Sequence, residues 1–259
     1  MDRIVSAKTF IPDFDGVPSM RPVIALLTPP EHPTGEARLL AAALRLAGAR
    51  VVKQPWTQPI DRDYVDGIVI VGSEVAEQPE ITADNVVPFA QFQSHGWSVV
   101  LPPHLLDLLR HDSGSQIPVL AVNGGCQWLN LARGGSIYND AAAFYGVDLD
   151  TRLMARQEVS LISTSGLRRV MDRLELEVNC TVNQAVSVLG RGLQVVGRDS
   201  KGMIQAVEDP HHAFFVGVQW APEYLLHKRA QRRLLRAFVR AASAIETDAE
   251  VPHQDQRTG

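Results

Sequence analysis

The chain has 259 residues, of which 45% are hydrophobic and 21% are charged. That balance is typical of a globular protein and excludes a chain that is disordered throughout, because enough apolar surface is present to offset the entropy lost on folding. The formal net charge of -4 gives no basic surface for nucleic acid, and two cysteines are too few for a disulfide framework or a cysteine-rich zinc site.

The first part of the chain predicts strands and helices in alternation. Residues 1–21 read as an irregular lead-in. Short apolar runs at 22–27, 50–53 and 67–71 predict strands, and an amphipathic helix that Thr34 can cap and Gly48 ends lies between the first two. Apolar strands that alternate with amphipathic helices are typical of a parallel sheet covered by helices.

The pattern changes further along the chain. Prolines interrupt 73–115, where we expect helices over 86–93 and 104–110, before a buried strand at 118–122 and a helix from 127. Five short strands are then separated by turn residues, which favours an antiparallel or mixed extension of the sheet. They cover 159–163, 174–178, 193–198, 204–208 and 214–219. An apolar stripe predicts a last helix over 226–245, and 246–259 predict a disordered tail.

These elements predict an α/β protein, a three-layer sandwich with a mostly parallel central sheet and an antiparallel extension in its C-terminal half. One domain would cover 22–245. No apolar run approaches the roughly 20 residues that span a membrane, and the first residues lack the apolar core of a signal peptide. We therefore expect a cytoplasmic protein with no membrane contact, no metal and no cofactor.

The segment 118–140 has the pattern of a functional turn. A buried strand ends at Val122, Asn123 follows, and two glycines lead into a helix. Such a strand–turn–helix arrangement holds one side chain in a strained conformation at the carboxyl end of a strand, where ligands of α/β sheets bind. A purely structural turn would fit the same residues, so this pattern alone leaves both interpretations open.

Three segments together resemble a known family. PVLAVNGGCQWLNLARGGSIYND (118–140), VNCTVNQAV (178–186) and FFVGVQWAPEYL (214–225) resemble the signature regions of class I glutamine amidotransferases. The likeness is strongest to the branch that contains γ-glutamyl-γ-aminobutyrate hydrolases and other γ-glutamyl hydrolases, the peptidase C26 group. It implies a flavodoxin-like fold. It also implies a reaction in which an elbow cysteine attacks a γ-glutamyl amide, a histidine activates the cysteine, and a glutamate orients that histidine.

The reactive positions of that family carry other residues in this chain. Asn123 stands at the position of the cysteine and Ala221 at that of the histidine, while Glu223 matches the glutamate. A carboxamide has no lone pair comparable to a thiolate, and a methyl group transfers no proton. We therefore predict a degenerate catalytic triad without glutaminase activity of the cysteine type.

Three hypotheses for the function remain open. The first is a repurposed enzyme that acts on a γ-glutamyl or amide-containing small molecule without a cysteine thioester. The second is a catalytically dead pseudoenzyme with a ligand-binding or regulatory role. The third is an amide hydrolase with a displaced nucleophile, for which Cys180 and Cys126 are the candidates. In each case the partner would be a glutamyl-like small molecule, with a partner enzyme or a second copy of the chain as further possibilities.

The resemblance also implies which residues line the pocket. Asn123, Ala221 and Glu223 occupy the triad positions, and the turn at Gly72 and Ser73 contributes an oxyanion-stabilising N–H in the family. The substrate-binding positions implied by the resemblance are Gly72, Ser73, Gly124, Gln127, Cys180, Asn183 and Gln184.

Overall fold

A computed structural model describes residues 21–29, 35–72, 92–94, 97–99, 103–110, 116–138, 140–141, 146, 156–179 and 184–249. Its strands are β1 (Val23–Thr28), β2 (Arg50–Pro55), β3 (Gly67–Gly72), β4 (Phe92–Ser94), β5 (Trp97–Val99), β6 (Val119–Asn123), β7 (Ile137–Tyr138), β8 (Arg156–Leu161), β9 (Glu175–Asn179), β10 (Ala185–Val186), β11 (Gln194–Asp199), β12 (Ile204–Glu208) and β13 (Phe215–Val218). Its helices are α1 (Gly35–Leu46), α2 (Pro103–Leu109), α3 (Gly124–Ala132), α4 (Gly166–Met171), a 3-10 helix (Pro222–Leu225) and α5 (Arg229–Ala249).

One mixed sheet forms the centre of the fold. Its strand order is β2-β1-β3-β6-β13-β12-β11-β8-β9. The first five strands are parallel neighbours, and every pairing from β13 to β9 is antiparallel. The predicted parallel sheet with an antiparallel C-terminal extension is therefore confirmed.

Each face of the sheet is covered by helices, because the buried strands are apolar on both sides. In β1, Ile24 and Leu26 pack into a cluster with Leu44 of α1 and Phe238 of α5. The intervening Ala25 and Leu27 pack into a second cluster, with α2 and α3, on the opposite face. Burying each large apolar side chain stabilises the fold by about 1.5–3 kcal/mol, so both helix layers are held mainly by this alternation.

Some predicted elements differ from the observed ones. The helix expected over 86–93 is wrong at its C-terminal end, where Phe92–Ser94 forms β4 and pairs with β5 instead. Residues 86–91 lie outside the described ranges, as do 1–20 and 250–259. The last helix begins at Arg229 because the 3-10 helix precedes it, and it continues through Ala249, four residues into the segment expected to be the tail.

The topology brings several strand ends to one edge of the sheet. Gly72 at the end of β3 is the register partner of Asn123 at the end of β6, and Val218 of β13 pairs beside Val122. Four antiparallel steps separate β13 from β9, so β9 runs in the same direction and its last residue, Asn179, lies at this edge as well. Among the described helices, no segment is long and apolar enough to cross a membrane.

Candidate functional site

Asn123 occupies a sharp turn between β6 and α3. Its backbone torsions are φ 55 and ψ -132, a combination that side-chain-bearing residues rarely adopt. The backbone N–H of Asn123 donates to the carbonyl of Trp220 at 3.2 Å, which ties the turn to the chain after β13. The Asn123 side chain makes no capping bond to α3. The predicted strained elbow is therefore present, with a buried carboxamide at its tip.

Glycines allow α3 to start this close to the sheet. A Cβ on Gly125 would lie 2.2 Å from the carbonyl oxygen of Ile70, and a Cβ on Gly72 would lie 2.8 Å from the backbone nitrogen of Gly125. Both distances are too short for a side chain. The start of α3 therefore rests directly on the backbone of β3, and this contact holds Asn123 in its strained conformation.

The strain at Asn123 gives a testable difference between two substitutions. Asn123→Gly relieves the unfavourable torsions, whereas Asn123→Ala keeps them, and both lose the carboxamide. We expect the glycine variant to unfold with a free energy about 1–2 kcal/mol higher than that of the alanine variant. Urea unfolding of both proteins measures this difference. A glycine variant that is no more stable than the alanine variant would show that the turn carries no strain.

The 3-10 helix after β13 forms the second side of the site. Ala221 is fully buried and precedes this helix in an extended conformation. Its N–H donates to the side-chain oxygen of Asn179 at 3.3 Å. The amide nitrogen of the same Asn179 side chain is buried and has no hydrogen-bond partner among the residues that the structure describes. A buried donor therefore lies unused beside Ala221, where the resemblance would put an imidazole.

Glu223 is buried within the 3-10 helix. Only 4% of its surface is exposed, and neither carboxylate oxygen accepts a hydrogen bond from another residue in the described ranges. Burial raises the pKa of Glu223 to about 8, its own backbone N–H offsets part of this rise, and the nearby Glu36 carboxylate adds to it. The Glu223 side chain is therefore largely protonated at neutral pH and titrates close to that pH.

Glu36 completes the group from a third element. It lies in the first turn of α1, which packs against the 3-10 helix. The side chain of Asn123 hydrogen-bonds to the Glu36 carboxylate, and this bond lowers the pKa of Glu36, although partial burial raises it by more. The elbow carboxamide thus points towards α1. Tyr224, beside Glu223, also has a raised pKa, first because it is partly buried and then because both carboxylates lie nearby.

Glu36 is not among the site residues predicted from the sequence. An acidic residue in the first turn is common, because it interacts favourably with the helix dipole. The available signal was positional: α1 follows β1, a parallel strand that ends at the same edge as β6. Among the described residues, no Lys, Arg or His forms an ion pair with Glu36 or Glu223.

Other predicted residues form the support of the site. Gln127 is fully buried, and its amide donates to the carbonyl of Gln184 at 3.0 Å and to the side-chain oxygen of Gln219 at 3.2 Å. These bonds connect α3 to the segment before β10 and to the end of β13. Gly124 is buried as the first residue of α3. Gln127 and the carbonyl of Gln184, two predicted substrate-binding positions, therefore make hydrogen bonds within the protein.

Cys126 faces away from the elbow. Its side chain is fully buried, and a Cβ on Gly217 of β13 would lie 2.9 Å from the Cys126 sulfur. Burial raises the pKa of this thiol to about 12, so almost no thiolate forms near neutral pH. Ser73, Cys180 and Asn183 lie outside the described ranges. No group of three or more His, Cys, Asp or Glu in the described part of the chain could hold a metal ion.

Comparison with known proteins places this site in a family. The family model for peptidase C26 matches residues 56–223, a range that includes the elbow and ends at Glu223. The chain belongs to the peptidase C26 family. A candidate glutamine amidotransferase of Schizosaccharomyces pombe is 24% identical over 212 residues, which cover 76% of this chain and 78% of that protein.

The γ-glutamyl-γ-aminobutyrate hydrolase of Escherichia coli O157:H7 is 27% identical over 182 residues, which cover 66% of this chain and 69% of the hydrolase. The crystal structure of a candidate GMP synthase component from Thermoplasma acidophilum superposes with a TM-score of 0.59 at 15% identity. That match covers 88% of this chain and 98% of the other. It confirms the flavodoxin-like fold of class I glutamine amidotransferases, and the relatives confirm the resemblance to the C26 branch.

Proposed function

We propose that this C26-family protein is a repurposed enzyme that acts on a γ-glutamyl or amide-containing small molecule without forming a cysteine thioester. The observation that carries the proposal is the elbow itself. The position that presents a cysteine in the family carries Asn123 here, in a strained conformation and hydrogen-bonded to Glu36. A carboxamide is not a nucleophile of the kind that a thioester requires.

The strain at Asn123 and the buried carboxyl group of Glu223 favour a site that has a function over one that has lost it. Strain of about 1–3 kcal/mol persists only where the surrounding structure imposes it, and it is concentrated at functional sites. Glu223 has kept a buried position without hydrogen-bond partners on other residues, at a free-energy cost that a packing role does not require. A carboxyl group with a pKa of about 8 can both give and take a proton near neutral pH.

A binding protein without catalysis is the second candidate. It is favoured by the same replacement of the nucleophile, together with the burial of Cys126. In a serine protease, removing the nucleophile or its base costs on the order of 10⁶ in kcat. A chain with neither group would retain the ability to bind but would need other residues for any chemistry.

Turnover of a substrate panel tests the proposal. The protein is incubated with γ-glutamyl amines, γ-glutamyl amides and glutamine, and products are followed by mass spectrometry. We expect product from at least one member, loss of at least about 100-fold in Asn123→Ala and Glu223→Gln, and unchanged turnover in Glu175→Gln, an exposed position at the start of β9. Intact-protein mass spectrometry should show no covalent glutamyl adduct.

The other outcomes each decide against the proposal. Thermal stabilisation by a panel member without product would establish the binding protein, because a ligand that binds only the folded state raises its stability. A glutamyl adduct of the protein, or its capture by hydroxylamine as a hydroxamate, would establish a thioester mechanism. The absence of both product and stabilisation across the panel would exclude this substrate class.

A further inference from the structure

Two carboxylates of the candidate site come from elements that pack against each other. Glu36 comes from α1 and Glu223 from the 3-10 helix, and the charge of Glu36 acts on Glu223 and on Tyr224. Two negative charges in a partly buried space repel each other unless a cation lies between them or one takes up a proton. No described cationic side chain pairs with either carboxylate.

The carboxylate of Glu223 also lacks hydrogen-bond donors among the described residues. Both oxygens of Glu223 are buried acceptors without donors on any other residue that the structure describes. Two donors of the candidate site are already engaged, because the Asn123 side chain hydrogen-bonds to Glu36 and the N–H of Ala221 donates to Asn179. A ligand that satisfies this space must therefore bring donors, and one that also carries positive charge would allow both carboxylates to ionise.

We propose that Glu36 and Glu223 together bind a protonated primary amino group of the ligand, beside the Asn123 carboxamide. An ammonium group has three donors and one positive charge, which matches two carboxylates and the carbonyl oxygen of an amide. The inference deepens the proposed function, on whose site it rests: the ligand would be an amine, or a γ-glutamyl amide whose amine portion carries a second, protonated amino group. Glu36 would then set specificity on the amine side.

Ala221 and Asn179 would contact a different part of the ligand from the two carboxylates. Ala221 carries a methyl group where a larger side chain would occupy volume, and the amide nitrogen of Asn179 beside it is an unused donor. That donor suits a carbonyl or carboxylate oxygen. The amine would thus lie towards α1, and an oxygen of the same molecule would lie towards β9.

Simple amines test the inference without knowledge of the natural ligand. Thermal unfolding and calorimetric titration are measured with n-butylamine and 1,4-diaminobutane. The comparison compounds are n-butanol, which has the same chain without charge, and tetramethylammonium, which has the charge without donors. We expect the two amines to raise the unfolding temperature and the two comparison compounds to leave it unchanged.

Variants locate the binding. Glu36→Gln keeps the size and the hydrogen bonding of the side chain but removes its charge, so the Kd for n-butylamine should rise about tenfold or more. Glu223→Gln should weaken the amine similarly. Glu175→Gln removes an exposed carboxylate elsewhere and should change nothing. Because Glu36 is only partly buried at a helix start, its variant is expected to fold.

The results separate this inference from the proposed function. Equal stabilisation by n-butylamine, n-butanol and tetramethylammonium, or an unchanged Kd in Glu36→Gln, would overturn the amine site. If γ-glutamyl compounds still bind or turn over in that case, only the inference fails. If neither amines nor γ-glutamyl compounds bind, the proposed function fails with it.

Discussion

Replacement of Glu223 by glutamine should stabilise the protein at alkaline pH by an amount that depends on pH. The Glu223 pKa is raised from 4.5 to about 8 in the folded protein, chiefly by burial. Below both values the carboxyl group is protonated in the folded and the unfolded chain, so it contributes no pH dependence. Between them the unfolded chain ionises first, and the free energy of unfolding falls by about 1.4 kcal/mol per pH unit.

Glutamine does not ionise, so the free energy of unfolding of the Glu223→Gln variant does not fall with pH for this reason. The difference in free energy of unfolding between variant and wild type should grow as the pH rises from about 4.5 to about 8, and then level off. Urea unfolding across this range measures it, with Glu175→Gln, at an exposed position, measured in parallel as the control. A difference for Glu223→Gln that does not change with pH would mean that Glu223 is ionised in the folded protein.

The second large effect concerns the far end of α3. Arg133 donates to the carboxylate of Asp209 at 3.0 Å, and its guanidinium lies 4.2 Å from the centre of the Phe215 ring. The two side chains are 2% and 4% exposed. Arg133→Met would leave the Asp209 charge buried beside an apolar side chain, and we expect a loss of about 3–5 kcal/mol in the free energy of unfolding.

An exposed pair supplies the matched control. Arg156 and Glu177 form an ion pair in which the side chains are 65% and 42% exposed, so Arg156→Met should cost no more than about 1 kcal/mol. Adding Asp209→Asn to Arg133→Met should restore part of the stability, because the buried negative charge is then removed. If Arg133→Met and Arg156→Met lowered the free energy of unfolding equally, burial of the Arg133–Asp209 pair would not increase its effect on stability.

The strands that the sequence predicted best are those buried on both faces. The run at 67–71 and the one at 118–122 are continuous apolar segments, and the structure has β3 and β6 there with ends that differ by one residue. A short, continuous apolar run bounded by turn residues is typical of a parallel strand that is covered by helices on both faces. Asn123 could be placed at the elbow for the same reason, because the strand end and the following glycines fix the turn.

The elements that were missed depend on distant residues. The helix α4 has only six residues, too few for a clear apolar period. It is held at its start by the Ser165 side chain and by the carboxylate of Glu208 on β12, which accepts from two backbone N–H groups. The wrong end of the expected helix at 86–93 has a similar cause, since pairing with β5 decides the conformation of β4.

The sequence predicted candidate triad positions but not the residues around them. Asn123 ends β6, and Ala221 and Glu223 follow the neighbouring parallel strand β13, an arrangement that sequence order and fold class imply. The approach of Glu36 to Asn123 and the effect of its charge on Glu223 depend on how α1 packs against the 3-10 helix. No spacing in the sequence encodes that contact.

The bond from the Asn123 N–H to the Trp220 carbonyl has a consequence for attempts to re-engineer this protein. It joins the backbone at the tip of β6 to the residue directly before Ala221, so a rearrangement forced at one place is transmitted to the other. A thiol installed at 123 and an imidazole installed at 221 would therefore not act additively. Engineering of the cysteine–histidine pair that the family resemblance implies would have to be judged on Asn123→Cys and Ala221→His together, with Glu36 neutralised as well, because its carboxylate would compete for the introduced histidine.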